Sequence, residues 1–142
     1  MKPYTSSTAA FGRLLIAVIF LMSGLGKIAA PAMTQGYIAS AGLPAPMLAY
    51  LIAVVIEVGG GVLLLLGLQT RLAALVMAVF SVATALSFHH DFADQNQMIH
   101  FLKNIAMAGG LLQVVAFGAG ALSLDGRRTQ ASKQPAAPSY ST

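Results

Sequence analysis

Between residues 49 and 68 the chain runs AYLIAVVIEVGGGVLLLLGL, apolar throughout except for one carboxylate, Glu57, near its middle. An apolar run of about 20 residues crosses a bilayer as a helix, the form that satisfies its own backbone groups in lipid. Glu57 then lies near the bilayer midplane, where an ionised acid costs roughly 2.5 to 3.5 kcal/mol even on the mildest insertion scale. An acid at that depth needs protein or water around it and a partner within reach.

The rest of the chain is also rich in apolar residues. Hydrophobic residues make up 57% of the 142 positions and charged ones only 8%, with a mean hydropathy of +0.77. A soluble domain carries about 25% charged residues, so the deficit points to one membrane domain with the lipid bilayer as its main solvent. There is no cysteine, which removes disulfides, thiolate nucleophiles, zinc–thiolate sites and iron–sulfur ligation. A redox role therefore requires a bound organic cofactor or a partner subunit.

The hydropathy pattern predicts an all-α bundle of four transmembrane helices over residues 11–30, 47–68, 71–88 and 98–117. Residues 1–10 read as a flexible lead, 11–126 as the membrane domain and 127–142 as a disordered tail. Four spans put both termini on one side. That side collects Lys2, Arg13, Arg71, Arg127, Arg128 and Lys133, against Lys27 and Lys103 on the other, which predicts cytoplasmic termini. Arg13 is expected to snorkel to the inner headgroups. A secretory signal is the competing reading of the first span, but its apolar core is long, Ser23 and Lys27 interrupt its end, and further spans follow. The basic excess is accounted for by topology and anionic lipid; no nucleic-acid partner is implied. Residues 33–40 are compatible with a short interfacial helix, with Tyr37 and Tyr50 at headgroup level.

With the termini inside, Lys27, His89, His90, Asp91, Asp94, His100 and Lys103 all lie toward the outer side, above Glu57. Helical side chains tilt toward the helix N-terminus, so Glu57 and Lys27, on antiparallel spans, lean toward each other. Lys103, about one turn into the fourth span, is a second candidate partner. Small or hydroxyl residues share faces with these charges: Gly60 and Gly61 with Glu57, Ser23 with Lys27, Ala106 with Lys103. The expectation is a polar pocket between close-packed helices, open to the outside. Neighbours His89 and His90 cannot share a face, bis-histidine haem ligation is disfavoured by their position at helix ends, and the set His89, Asp91, Asp94 and His100 has no recognisable metal spacing. Neither haem nor a metal is expected.

Several stretches, in order, carry a family resemblance: RLLIAVIFLMSGLGKI at 13–28, YIASAGLP at 37–44, EVGGGVLLLLGLQTR at 57–71, FHHDF at 88–92, FLKNIAMAGGLL at 101–112 and GAGALSLD at 118–125. The chain resembles the DoxX family of small four-span bacterial inner-membrane proteins. That resemblance implies association with a quinone-reducing oxidoreductase system, and it places family positions on Lys27, Glu57, Arg71, Lys103 and Asn104. The family's usual Gly-Pro-Gly after the last span is Gly118-Ala119-Gly120 here, a change in a turn. Together these readings give Glu57, Lys103 and Lys27 as candidate proton-exchanging residues. They give Ser23, Glu57, Gly61, His89 and Asn104 as candidate contacts for a quinone, with either a redox partner subunit or a carrier role implied. The alternatives are a small proton-coupled transporter or exporter built on Glu57, and a non-catalytic scaffold in which the charges only lock the helices.

Overall fold

The computed structural model describes residues 3–132, with side chains from Ser6 onward. The elements are α1 (Pro3–Ala29), α2 (Pro31–Ser40), α3 (Pro46–Val54), a π-helical turn (Val55–Gly59), α4 (Gly60–Leu66), α5 (Thr70–Phe88), α6 (Gln95–Phe117) and α7 (Leu124–Ala131). Among the described residues four stretches are long and apolar enough to cross a membrane: Ser6–Ala29, Pro46–Leu66, Thr70–Phe88 and Gln95–Phe117. The second of these is α3, the π turn and α4 in continuous succession.

Proline and glycine set the boundaries. Ala30 precedes Pro31, which disfavours helix at Ala30 and opens α2 at its first position. Gly67 ends α4 in the left-handed region (φ 66°), and Leu68 N–H and Gly67 N–H return to Leu63 and Leu64 carbonyls in a Schellman motif. Asp94 caps α6 by accepting from Asn96 N–H, which starts that helix at Gln95 rather than at the expected residue 98.

Two ends differ from expectation. The lead expected to be flexible is helical from Pro3; Ser6 is buried and Ala9 sits close over Gly120, so tertiary contact holds this polar segment in α1. The tail expected to be disordered from residue 127 is helical through Ala131, because Ser123 Oγ caps Gly126 N–H and Asp125 docks on the α4–α5 turn. Residues 133–142 of that expected tail lie outside the described residues.

The helices form two pairs. The first span packs along the whole second span, and α5 packs most extensively on α6. The pairs meet mainly through the π turn and α4 on α5, where Gly60 leaves room for Met77, while α1 and α6 touch sparsely, as at Ile16 and Gly110. The core of Ala17, Phe20, Leu64, Ala74, Met77, Ala78, Ala108 and Leu111 therefore fills the half nearer the chain termini. Toward the other end the pairs part, and α2 lies across the opening with Tyr37 stacked on Phe88 of α5 at 5.3 Å.

The terminal end is closed by polar contacts. Arg13 is buried, not snorkelling: its guanidinium donates to Leu64 O (Nε, 3.2 Å) and Leu122 O (Nη2, 2.8 Å), at the C-terminus of α4 where a cation meets the negative end of the helix dipole. Asp125 accepts from Gln69 N (3.0 Å), Thr70 N (2.9 Å) and Thr70 Oγ1 (2.7 Å), capping α5 from a distant part of the sequence. Partial burial pushes the Asp125 pKa up, but these hydrogen bonds and nearby Arg128 outweigh it and leave the carboxyl below its ordinary range.

Candidate functional site

The second span supplies the anion through an irregularity. Over Val55–Gly59 the helix widens to a π turn, a feature that recurs at functional positions. Of the three glycines that follow Val58, Gly60 and Gly61 permit close approach of Met77 and Leu21. Glu57 is 5% exposed and faces α1, where Gly24 lets the two backbones meet: a methyl group there would lie 2.7 Å from Val58 Cγ2 and 3.1 Å from Glu57 Cβ.

Across that contact stands one of the two candidate partners. Lys27 Nζ donates to Glu57 Oε1 (2.9 Å) and Oε2 (2.8 Å), and to Ser23 Oγ (2.9 Å), whose hydroxyl donates in turn to Glu57 Oε1 (3.1 Å). Ser23 and Lys27 stand one turn apart on α1, so both reach the same carboxylate. The carboxylate is nearly sealed, while the lysine side chain keeps a quarter of its surface open.

That open side borders a cavity of about 940 Å³ between the two helix pairs. Ile19, Phe20 and Met22 of α1, Ile52 and Ala53 of α3, Phe80, Ala83 and Phe88 of α5 and Met107 of α6 give it apolar walls, and Met33, Thr34, Tyr37 and Ile38 of α2 roof it. Its polar lining falls into two groups. Ser23, Lys27 and Glu57 belong to the first pair of spans; His89, Lys103 and Asn104 belong to the second, with Thr84 and Ser87 of α5 between.

Of the residues expected at the site, Ser23, Lys27, Glu57, His89, Lys103 and Asn104 all line this cavity. Lys103 does not reach the acid: its ammonium contacts His100 Nδ1 at 3.1 Å, one turn back on its own helix. His89 Nδ1 lies 2.9 Å from Gln97 Oε1, and its ring stacks on His100 at 5.1 Å. Gly61 is a correction. It faces Leu21 of α1, where a methyl group would lie 2.9 Å from the leucine side chain, so it packs helices and does not touch the cavity. Among the described residues no three His, Asp or Glu side chains gather as a metal site; Asp91 turns to Ala93 N–H of its own loop and Asp94 to Asn96 N–H in the first turn of α6. The sequence reading missed Gly24, the π turn and the α2 roof. The run SGLGK at 23–27 held the signal for Gly24, a small residue one helical turn from the lysine.

The DoxX profile matches residues 8–90. The chain belongs to the DoxX family. It is 37% identical over 125 residues to inner membrane protein YqjF of Escherichia coli strain K12, covering 88% of this chain and 95% of the relative. It is 40% identical over 121 residues to inner membrane protein YphA of the same strain, covering 81% and 86%. An uncharacterized protein of Haemophilus influenzae is 35% identical over 133 residues, covering 89% and 95%. No solved structure gives a significant match. Four apolar helices and inner-membrane relatives make this DoxX member a multi-pass inner-membrane protein.

Proposed function

We propose that this DoxX-family protein binds a lipid-soluble ring of the quinone type in the cavity between its helix pairs and serves a membrane redox system whose electrons come from a partner subunit. One observation carries this reading: an apolar cavity of about 940 Å³ with one polar cluster on each helix pair. Ligand sites are typically apolar clefts of roughly 300–1,000 Å³ with a few convergent polar groups. A flat ring with an oxygen at either edge is complementary to that division. Lys27 and Ser23 are the donors for one edge, and Lys103 and Asn104 for the other. A bound quinone supplies reversible two-electron, two-proton chemistry. The chain supplies a proton donor and acceptor already in contact, Lys27 and Glu57, at the edge of that cavity. The cation excess on the terminal side supports cytoplasmic termini, which would open the cavity toward the outer leaflet.

The test is retention of quinone by protein purified in nanodiscs, followed by extraction and chromatography. Single neutralisation of Glu57 strands an ammonium, so the paired variant Lys27→Met with Glu57→Gln is the cleaner probe, leaving no uncompensated charge. Retention roughly tenfold lower in the paired variant at unchanged melting temperature is expected. Equal retention removes the reading, and loss of stability alone makes the pair a structural lock.

A second reading is proton-coupled transport through Glu57, favoured by the π turn that interrupts the second span at the acid. Proton-dependent solute uptake into proteoliposomes, abolished by the same paired variant, would select it.

A further inference from the structure

The chain has four acidic residues, and the structure accounts for each. Glu57 is held by Lys27. Asp91 Oδ1 accepts from Ala93 N at 3.1 Å and Asp94 Oδ1 from Asn96 N at 2.8 Å, both in the turn between α5 and α6. Asp125 lies at the opposite end, on Gln69 and Thr70. No carboxylate side chain remains for Lys103, the other lysine that lines the cavity.

Lys103 follows Gln95 by eight residues, roughly 12 Å along α6 from the helix end at about 1.5 Å per residue. Its contact is with His100 Nδ1, 3.1 Å away. An ammonium can only donate, so that imidazole nitrogen accepts and the ring is neutral. Two ammonium hydrogens are left over. Beside it Asn104 is buried at 7% exposure and gives one amide hydrogen to His100 O at 2.9 Å, which leaves its second N–H for a ligand. The cavity lining thus carries two ammonium groups and one carboxylate. An ammonium without a counter-ion beside apolar walls gains more from an anion than from a neutral acceptor.

We propose that Lys103, with Asn104 beside it, seats an ionised oxygen of the ligand, so that the protein takes acidic amphiphiles: an apolar body bearing one enolate, carboxylate or phosphate oxygen. This rests on the cavity being a ligand site, as in the reading above, but not on the ligand being a ring.

The experiment uses the full chain in phosphatidylcholine nanodiscs and two matched probe pairs. One pair is an alkyl hydroxynaphthoquinone, ionised at neutral pH, and its methyl ether; the other is palmitate and methyl palmitate. The acid of each pair is expected to bind roughly tenfold tighter than its capped partner. Lys103→Met removes that difference, and Lys103→Arg keeps it. Equal binding of acid and ether by the wild-type chain, or a preference that survives Lys103→Met, overturns the anion seat while leaving quinone binding intact. Preference for palmitate with no binding of either naphthoquinone keeps the seat and removes the ring. Replacing phosphatidylcholine by phosphatidylglycerol identifies the natural source. A weaker acid affinity in the wild type alone assigns the seat to a lipid headgroup phosphate, and an unchanged affinity assigns it to a free amphiphile.

Discussion

Helix α1 carries two cations that reach the second span, a buried Arg13 on the side of the chain termini and a partly open Lys27 in its last turn, and the two meet different fates. Arg13 finds only backbone carbonyls, Leu64 O and Leu122 O, and around it the Schellman turn at Gly67, the Ser123 cap and the Asp125 bridge leave little space. Lys27 finds a carboxylate, and beyond that ion pair lies a cavity. Lipid offers helices no hydrophobic reason to associate, so packing and polar contacts must hold them. At the terminal end polar contacts are spent on closure. At the other end they stay within each helix pair, Lys27 with Glu57 in the first and Lys103 with His100 in the second, which leaves the pairs free to part there.

The largest break in this contrast comes from Arg13→Met. Removing the guanidinium leaves Leu122 O without its donor, at about 1–3 kcal/mol, and takes from Leu64 O a charged donor that it has besides Gly67 N–H, at about 1.5–3 kcal/mol, so thermal unfolding of the purified protein should shift down by several degrees. Arg13→Lys should recover less than half of the loss, since a point charge does not reproduce a fork that serves two separate carbonyls. The folded remainder should keep its cavity, so ligand retention per folded molecule stays within about twofold. An unchanged melting curve would show that the terminal end is not the stabilising one.

A smaller effect is expected where α1 meets the π turn. Gly24→Ala places a methyl group 2.7 Å from Val58 Cγ2 and 3.3 Å from Val58 N, and overpacking of this kind costs about 1–3 kcal/mol. Backbone lies behind the side chain, so part of the strain passes to the separation of α1 from Glu57 and loosens the Lys27 contact. Gly26→Ala, with nothing within 4 Å, is the control and should be neutral. Comparing the two melting temperatures sharpens the contrast: a Gly24 variant as stable as the Gly26 variant would mean the ion pair does not depend on close approach.

The residues themselves show why some of this was legible in the sequence. Uninterrupted apolar runs declare spans because lipid admits few other structures, and the same physics demands a partner for Glu57. Antiparallel tilt then favoured Lys27. Choosing between Lys27 and Lys103 required knowing which helices pair, and the pairing is decided by glycine contacts such as Gly24 on Val58 and Gly60 on Met77 that have no period to read. Gly61 shares a face with Glu57 and, like it, meets α1, but it lies one turn further along the span, where Leu21 packs against it and the cavity does not reach. Arg13 looked like a snorkelling residue because the carbonyls that hold it come from positions far along the chain, one of them in a segment that reads as a turn. The helix α7 was hidden for the same reason: a Ser-Leu-Asp-Gly sequence with a polar continuation has no apolar face, and its order depends on the Asp125 bridge.

The smallest expected effect lies in that bridge. Asp125 has its pKa held below the ordinary value in the folded state, so the stability it contributes is fully present above the unfolded value of about 3.9 and is lost as pH falls through the lower folded value. Asp125→Asn should therefore lower the melting temperature slightly at neutral pH, and the gap to the wild type should close as the medium is acidified below about pH 4. The effect is modest because the carboxylate is largely solvated and screened. Raised salt should shrink the contribution of Arg128 and leave the hydrogen bonds to Gln69 and Thr70 in place. A gap that is constant from neutral to acid pH would mean that the amide makes the same contacts as the carboxylate. The terminal end would then be closed by hydrogen-bond geometry, and charge would matter only at the end that holds the cavity.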